Sequence, residues 1–185
     1  MKKISIIVFL TLFASGCAPL IKSLNYKKEF AEPKRSLVLM YVRFDKDTYA
    51  GWVHFQTASG NDDDLLTHVG DQVKDGECAL FAGTVESEVY HIQSISGPYV
   101  VYKFEKNASY NIKFNITKPD VYFIGQYELG LADKGKTGTF SFNKTTGCPS
   151  EKNAYKEVLK DEEFSGLLKE TRWPERLKRK SGSIK

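Results

Sequence analysis

From Ser36 onward the chain alternates apolar and polar residues in short runs separated by turn residues, the signature of strands with a single buried face. Leu37 to Phe44 is the exception: its near-continuous apolarity predicts a strand buried on both faces. Trp52 to Gln56 alternates, Val53 and Phe55 falling on one side and Trp52, His54 and Gln56 on the other. Thr57 to Gly76 breaks the pattern with three glycines and the run Asn61-Asp62-Asp63-Asp64, so a long surface loop is expected there. Glu77 to Thr84, Val85 to Ile95, Tyr99 to Glu105 and Tyr110 to Thr117 follow as strands, with a turn at Gly97-Pro98. Val121 to Leu131 carries Gly125 in its interior, which marks a bulge or a close backbone approach. Thr139 to Asn143 ends the series. Short strands at this spacing predict a mainly β domain, an antiparallel two-sheet β-sandwich. After Pro149 the period lengthens: Ser150 can cap a helix that places Ala154, Tyr155, Val158 and Leu159 on one face.

Composition sharpens this picture. The 185 residues are 41% hydrophobic and 13% aromatic, enough to bury a core, and this excludes a wholly disordered chain. The formal charge of +4 is unevenly spread. Arg172, Arg176, Lys178, Arg179, Lys180 and Lys185 face Glu175 alone in the last fourteen residues, a basic tail on an otherwise mildly acidic domain. Nothing in that balance points to nucleic acid.

The N-terminus has a different character. Lys2 and Lys3 precede a ten-residue apolar run, Ile4 to Phe13, and the small residues Ala14, Ser15 and Gly16 lead to Cys17. The order of charge, apolar run and small residues is that of an export signal, and the run is too short to span a bilayer as a mature helix. Leu12-Phe13-Ala14-Ser15-Gly16-Cys17 resembles the lipobox of bacterial lipoproteins, although Ala14 stands where Leu is usual. The resemblance implies cleavage before Cys17 and a diacylglycerol on its thiol. Ala18, where inner-membrane lipoproteins of two-membrane bacteria usually carry Asp, implies the outer membrane facing the periplasm. Cysteine parity agrees: lipidating Cys17 leaves Cys78 and Cys148, an even pair for a disulfide in an oxidising compartment. The stretch Lys118 to Leu129 is similar to the closing hairpin of small envelope lipoproteins, which implies an immunoglobulin-like or transthyretin-like sandwich.

Catalytic motifs are weak by comparison. Gly130 to Thr137 fits G-x-x-x-x-G-K-[ST], but a phosphate loop opens a helix, and here a glycine and then the alternating Thr139-Phe140-Ser141-Phe142 follow, so a hairpin turn is expected. His54, His68 and His91 lack the short spacing of a zinc site, and Asp62, Asp63 and Asp64 lack the ladder of a calcium loop. No cofactor or metal is expected.

The expected organisation is a signal peptide over 1–16, a lipidated tether over 17–35, the β-sandwich over 36–148, a C-terminal helix over 149–170 and the basic tail over 171–185. The expected function is that of a noncatalytic, lipid-anchored envelope protein that binds another envelope protein or polymer through its β domain. The alternative is an anchored hydrolase or metal-dependent enzyme whose site the sequence does not reveal.

Overall fold

In the computed structural model the described residues are 28–44, 51–60, 63–70, 76–96, 101–104, 112–131 and 140–183. They form a mainly β domain with helices at its C-terminal end. The strands are β1 (Ser36–Phe44), β2 (Trp52–Thr57), β3 (Asp63–Val69), β4 (Cys78–Val85), β5 (Val89–Ser96), β6 (Val101–Lys103), β7 (Lys113–Asn115), β8 (Val121–Leu131) and β9 (Phe140–Lys144). Three helices follow, α1 (Glu151–Lys160), α2 (Glu162–Leu168) and α3 (Trp173–Ser181).

The strands lie along one hydrogen-bonded path, β6-β5-β2-β3-β4-β1-β8-β9, with β7 also paired to β5. This corrects the antiparallel expectation, because β1 runs parallel to β8 while pairing antiparallel with β4. Alternate residues of β1 therefore serve two cores. Val38, Met40, Val42 and Phe44 join a cluster reaching every strand from β5 to β9, and Leu37, Leu39 and Tyr41 join one shared with the helices. The ring of Phe104, just after β6, meets Phe142 of β9 at 5.0 Å. Those strands stand at opposite ends of the path, so the sheet curls until its two ends touch.

The loop expected over 57–76 is corrected as well. Asp63 to Val69 is an interior strand, paired with both β2 and β4. Leu66 fills the inner core, and Asp64 is held against Arg35, which also donates to the Thr84 carbonyl, while the Tyr90 hydroxyl donates to Asp64 at 2.8 Å. Those partners remove the cost of placing a carboxylate within a sheet. The Tyr90 hydroxyl is pushed well above its ordinary range, first by burial and then by Asp64.

Gly125 sits at a bulge, where the pairing of β1 with β8 shifts register between Leu39 and Tyr41. Its φ of +129° suits glycine, and a Cβ there would lie 2.9 Å from the Tyr127 hydroxyl.

The single helix expected over 149–170 is two helices divided at Asp161, whose carboxylate accepts from the Phe164 N–H at 2.9 Å and caps α2. Residues 171–181 do not trail away as a tail. Pro174 in the first turn of α3 and left-handed Gly182 after it bound a helix whose Trp173, Leu177 and Ser181 are buried. The last part of the expected tether is also folded in: Phe30 is buried and meets Phe164 edge-on at 6.1 Å.

Candidate functional site

Cys78 and Cys148 are joined by a disulfide, their Cα atoms 5.5 Å apart. It ties the start of β4 to the segment between β9 and α1, and so pins the helical layer to the sheet. Cys17 lies outside the described residues. Of the phosphate-loop match, Gly130 and Leu131 belong to β8 and residues 132–137 lie outside the described residues. The strand that follows, β9, pairs antiparallel with β8, Gly130 opposite Ser141, which is the geometry of a hairpin. The histidines are not brought together as ligands. His54 Nε2 meets Ser96 Oγ at 2.9 Å, and the His68 ring meets Phe81 at 5.8 Å. His91 is buried in β5. Asp62 lies outside the described residues, and Asp64 is taken up by Arg35. Among the described residues there is no group of three or more His, Cys, Asp or Glu able to hold a metal.

The concentrated chemistry is cationic and surrounds α3. On one flank a cleft of about 460 Å³ is lined by Lys118, Pro119, Asp120, Arg176, Arg179 and Lys180. Its floor is the turn between β7 and β8, which β1 holds in place: the Leu37 N–H donates to the Asp120 carbonyl at 3.0 Å, and Ser36 Oγ donates to the Lys118 carbonyl at 3.1 Å. The Tyr122 hydroxyl donates to the same Lys118 carbonyl at 3.0 Å. The wall is α3, docked on the turn by Arg176, whose guanidinium donates to the Pro119 carbonyl at 2.6 Å and lies 3.6 Å from the Asp120 carboxylate. Lys180 reaches the other Asp120 oxygen at 3.4 Å. Burial alone would raise the Asp120 carboxyl, but the Val121 N–H, Lys180 and Arg176 outweigh it and hold the group below the ordinary carboxylate range. One carboxylate against four cations leaves the cleft strongly positive, and the exposed side chains of Lys118 and Arg179 have no carboxylate partner among the described residues.

The opposite flank of α3 carries a second cleft, of about 430 Å³, lined by Lys156, Leu159, Lys160, Lys178 and Ser183. Lys152, Lys156 and Lys160 recur every four residues and form an exposed stripe along α1. The two acidic residues of α1 are engaged elsewhere: Glu157 accepts from the Tyr41 hydroxyl at 2.7 Å, and Glu151 accepts from the Tyr155 hydroxyl. Burial, then the neighbouring carboxylate, pushes both tyrosine hydroxyls far above their ordinary range, so each stays protonated and keeps the proton it donates.

The helix bearing this charge is latched to the N-terminal segment. Trp173 Nε1 donates to the Phe30 carbonyl at 2.8 Å, and the Arg172 guanidinium donates to the Pro33 and Arg35 carbonyls at 2.6 and 2.7 Å. Arg172 also stacks over the Trp173 ring at 4.4 Å. Burial, then repulsion from Arg176, lowers the Arg172 guanidinium below its usual value.

The sequence shows these cations as a basic tail, whereas in the fold they lie on a packed helix. The sign that a helix holds them was present, in Pro174, the four-residue spacing of Trp173, Leu177 and Ser181, and Gly182. Nothing in the sequence pairs that helix with Lys118.

No family model and no curated protein matches the chain. Among solved structures it is similar to the solution structure of the CBM25-1 of a β/α-amylase from Paenibacillus polymyxa, at 15% identity, covering 62% of this chain and 99% of that one with a TM-score of 0.31.

Proposed function

We propose that this protein is a lipid-anchored component of the cell envelope, held by acyl chains on Cys17 at the periplasmic face of an outer membrane. It acts without catalysis, binding another envelope protein or polymer through its β domain. The observation that carries the reading is the cysteine arrangement. Cys78 and Cys148 are consumed by a disulfide, which suits an oxidising compartment, and the remaining thiol of the chain stands where the signal-like segment ends. Two or three acyl chains hold a protein firmly, because each buried methylene contributes about 0.8 kcal/mol.

The curled sheet is read as a sandwich-like frame, its two arms facing each other across the rings of the inner core. Binding through the β domain draws support from Val89 of β5 and Val101 of β6, which are exposed large hydrophobic residues. Mass spectrometry of the N-terminal peptide from isolated membranes tests the anchor. A chain beginning at an acylated Cys17 is expected, with Cys17→Ser leaving the protein uncleaved or soluble. An unmodified mature N-terminus in the wild type overturns the reading.

A further inference from the structure

The basic surface around α3 belongs to the same layer as the end of the N-terminal segment. Phe30 is wedged against Phe164 of α2 and accepts a hydrogen bond from Trp173 of α3, so the chain enters the fold at the helices. Eleven residue steps separate Cys17 from Lys28, and a fully extended chain of that length spans at most about 40 Å. An acyl group on Cys17 therefore keeps the start of the helical layer within about 40 Å of the bilayer. Both cationic clefts flank α3, and half-buried Leu159 lies in the second among three lysines. Asp120, the acid within the first cleft, is spent on Arg176 and Lys180, whereas Glu162, Glu163 and Glu175 line neither cleft.

We propose that this surface, Lys156, Lys160 and Lys178 on one flank of α3 and Lys118, Arg179 and Lys180 on the other, lies against the anionic phosphate head groups of the membrane that holds the anchor. The inference rests on the lipid-anchored reading and adds an orientation to it: helical layer toward the bilayer. Lipid is favoured over a single soluble anion because the charge is spread over two clefts on either side of one helix, a broad surface, and because the tether keeps it near head groups. The attraction acts within about a Debye length, roughly 8 Å at physiological salt, so it requires this close approach.

Two measurements test it. In intact membranes a water-soluble amine reagent should modify Lys156, Lys160, Lys178 and Lys180 several-fold more slowly than Lys103 and Lys113, the exposed lysines of β6 and β7, and detergent should abolish the difference. Equal rates before detergent overturn the proposal. The second uses the mature chain from residue 17 carrying Cys17→Ser, without residues 1–16, sedimented with phosphatidylglycerol or phosphatidylcholine vesicles. The excess binding to the anionic vesicles should fall about tenfold or more in Lys156→Glu/Lys178→Glu/Arg179→Glu and be retained in Lys103→Glu/Lys113→Glu. These side chains are exposed, and an unchanged melting temperature verifies that the variants remain folded. Equal binding to the two lipids overturns the proposal. Protection in membranes without affinity for phosphatidylglycerol overturns it too, assigning the surface to an acidic protein or polymer. Anionic binding by a chain whose wild-type Cys17 proves unmodified sustains the surface and removes only the anchor.

Discussion

The two faces of β1 bury equally apolar residues but are held by different forces. Toward the inside, Val38, Met40, Val42 and Phe44 meet side chains from the curled sheet, with ring contacts such as Phe55–Phe114 at 4.8 Å and Tyr127–Phe142 at 5.1 Å. Toward the outside, Leu37, Leu39 and Tyr41 meet helices of only seven to ten residues, too short to persist alone in water. The outer core adds directed links: the disulfide, the Trp173 bond to Phe30, the Arg172 fork and the Tyr41 bond to Glu157. The contrast shows how one chain solves two packing problems. A sheet supplies its own hydrogen bonds and needs only area, whereas short polar helices need fixed points.

Breaking the latch tests the difference most severely. Trp173→Ala should destabilise the protein by about 3–5 kcal/mol in denaturant unfolding, similar to Phe55→Ala inside the sheet. The two should separate in hydrogen exchange. The Trp173 variant is expected to lose protection in α1 to α3 while β2 and β5 keep theirs, whereas Phe55→Ala weakens the sheet.

Removing the disulfide comes next. Cys78 and Cys148 are 70 residues apart in sequence. Closing a loop of that length is worth about 4 kcal/mol on the chain-entropy model. Cys78→Ala/Cys148→Ala should lower the unfolding midpoint accordingly, with helical amides exchanging before those of β1. Simultaneous loss of protection in both layers would mean that the disulfide serves the whole sheet.

Tyr41→Phe isolates one directed link at nearly constant volume. A cost of about 1–3 kcal/mol is expected from leaving Glu157 without its donor, measured by chemical denaturation. Glu157→Gln in the same background should recover part of it.

The smallest effect is a dependence on pH. The Asp120 carboxyl is held below its unfolded value, so its contribution to stability is complete above about pH 5 and lost as pH falls through the lowered value. Asp120→Asn should flatten the decline of melting temperature below pH 4 and leave neutral pH less affected. An unaltered acid slope would show that the Arg176 and Lys180 pairs do not couple to folding.

Much of the sheet was legible because a strand's period of two is written in adjacent residues. Trp52 to Thr57 alternates between half-buried and buried as its sequence does, and the near-continuous apolarity of Leu37 to Phe44, broken only by half-buried Arg43, matches its burial on both faces. Asp63 to Val69 was illegible for the converse reason. Its acidic residues read as solvated, and the arginine and tyrosine that engage Asp64 stand 29 and 26 positions away. Of the candidate site, the cations themselves were visible, but the clefts were not, because Lys118 and Arg179 come together only when α3 docks on the turn before β8.

The sequence by itself determined the mainly β composition, the strands with clear alternation, the excess of charge near the C-terminus and the cysteines available for pairing. Tertiary structure alone decided that β1 runs parallel to β8, that the ends of the sheet meet at Phe104 and Phe142, and that Trp173 pins the basic helix to Phe30 across 143 positions. Periodicity reports which side of an element is apolar, and it carries no record of what will cover that side. The partner is chosen by the burial that remains once every element competes for the same surface, a property of the whole chain.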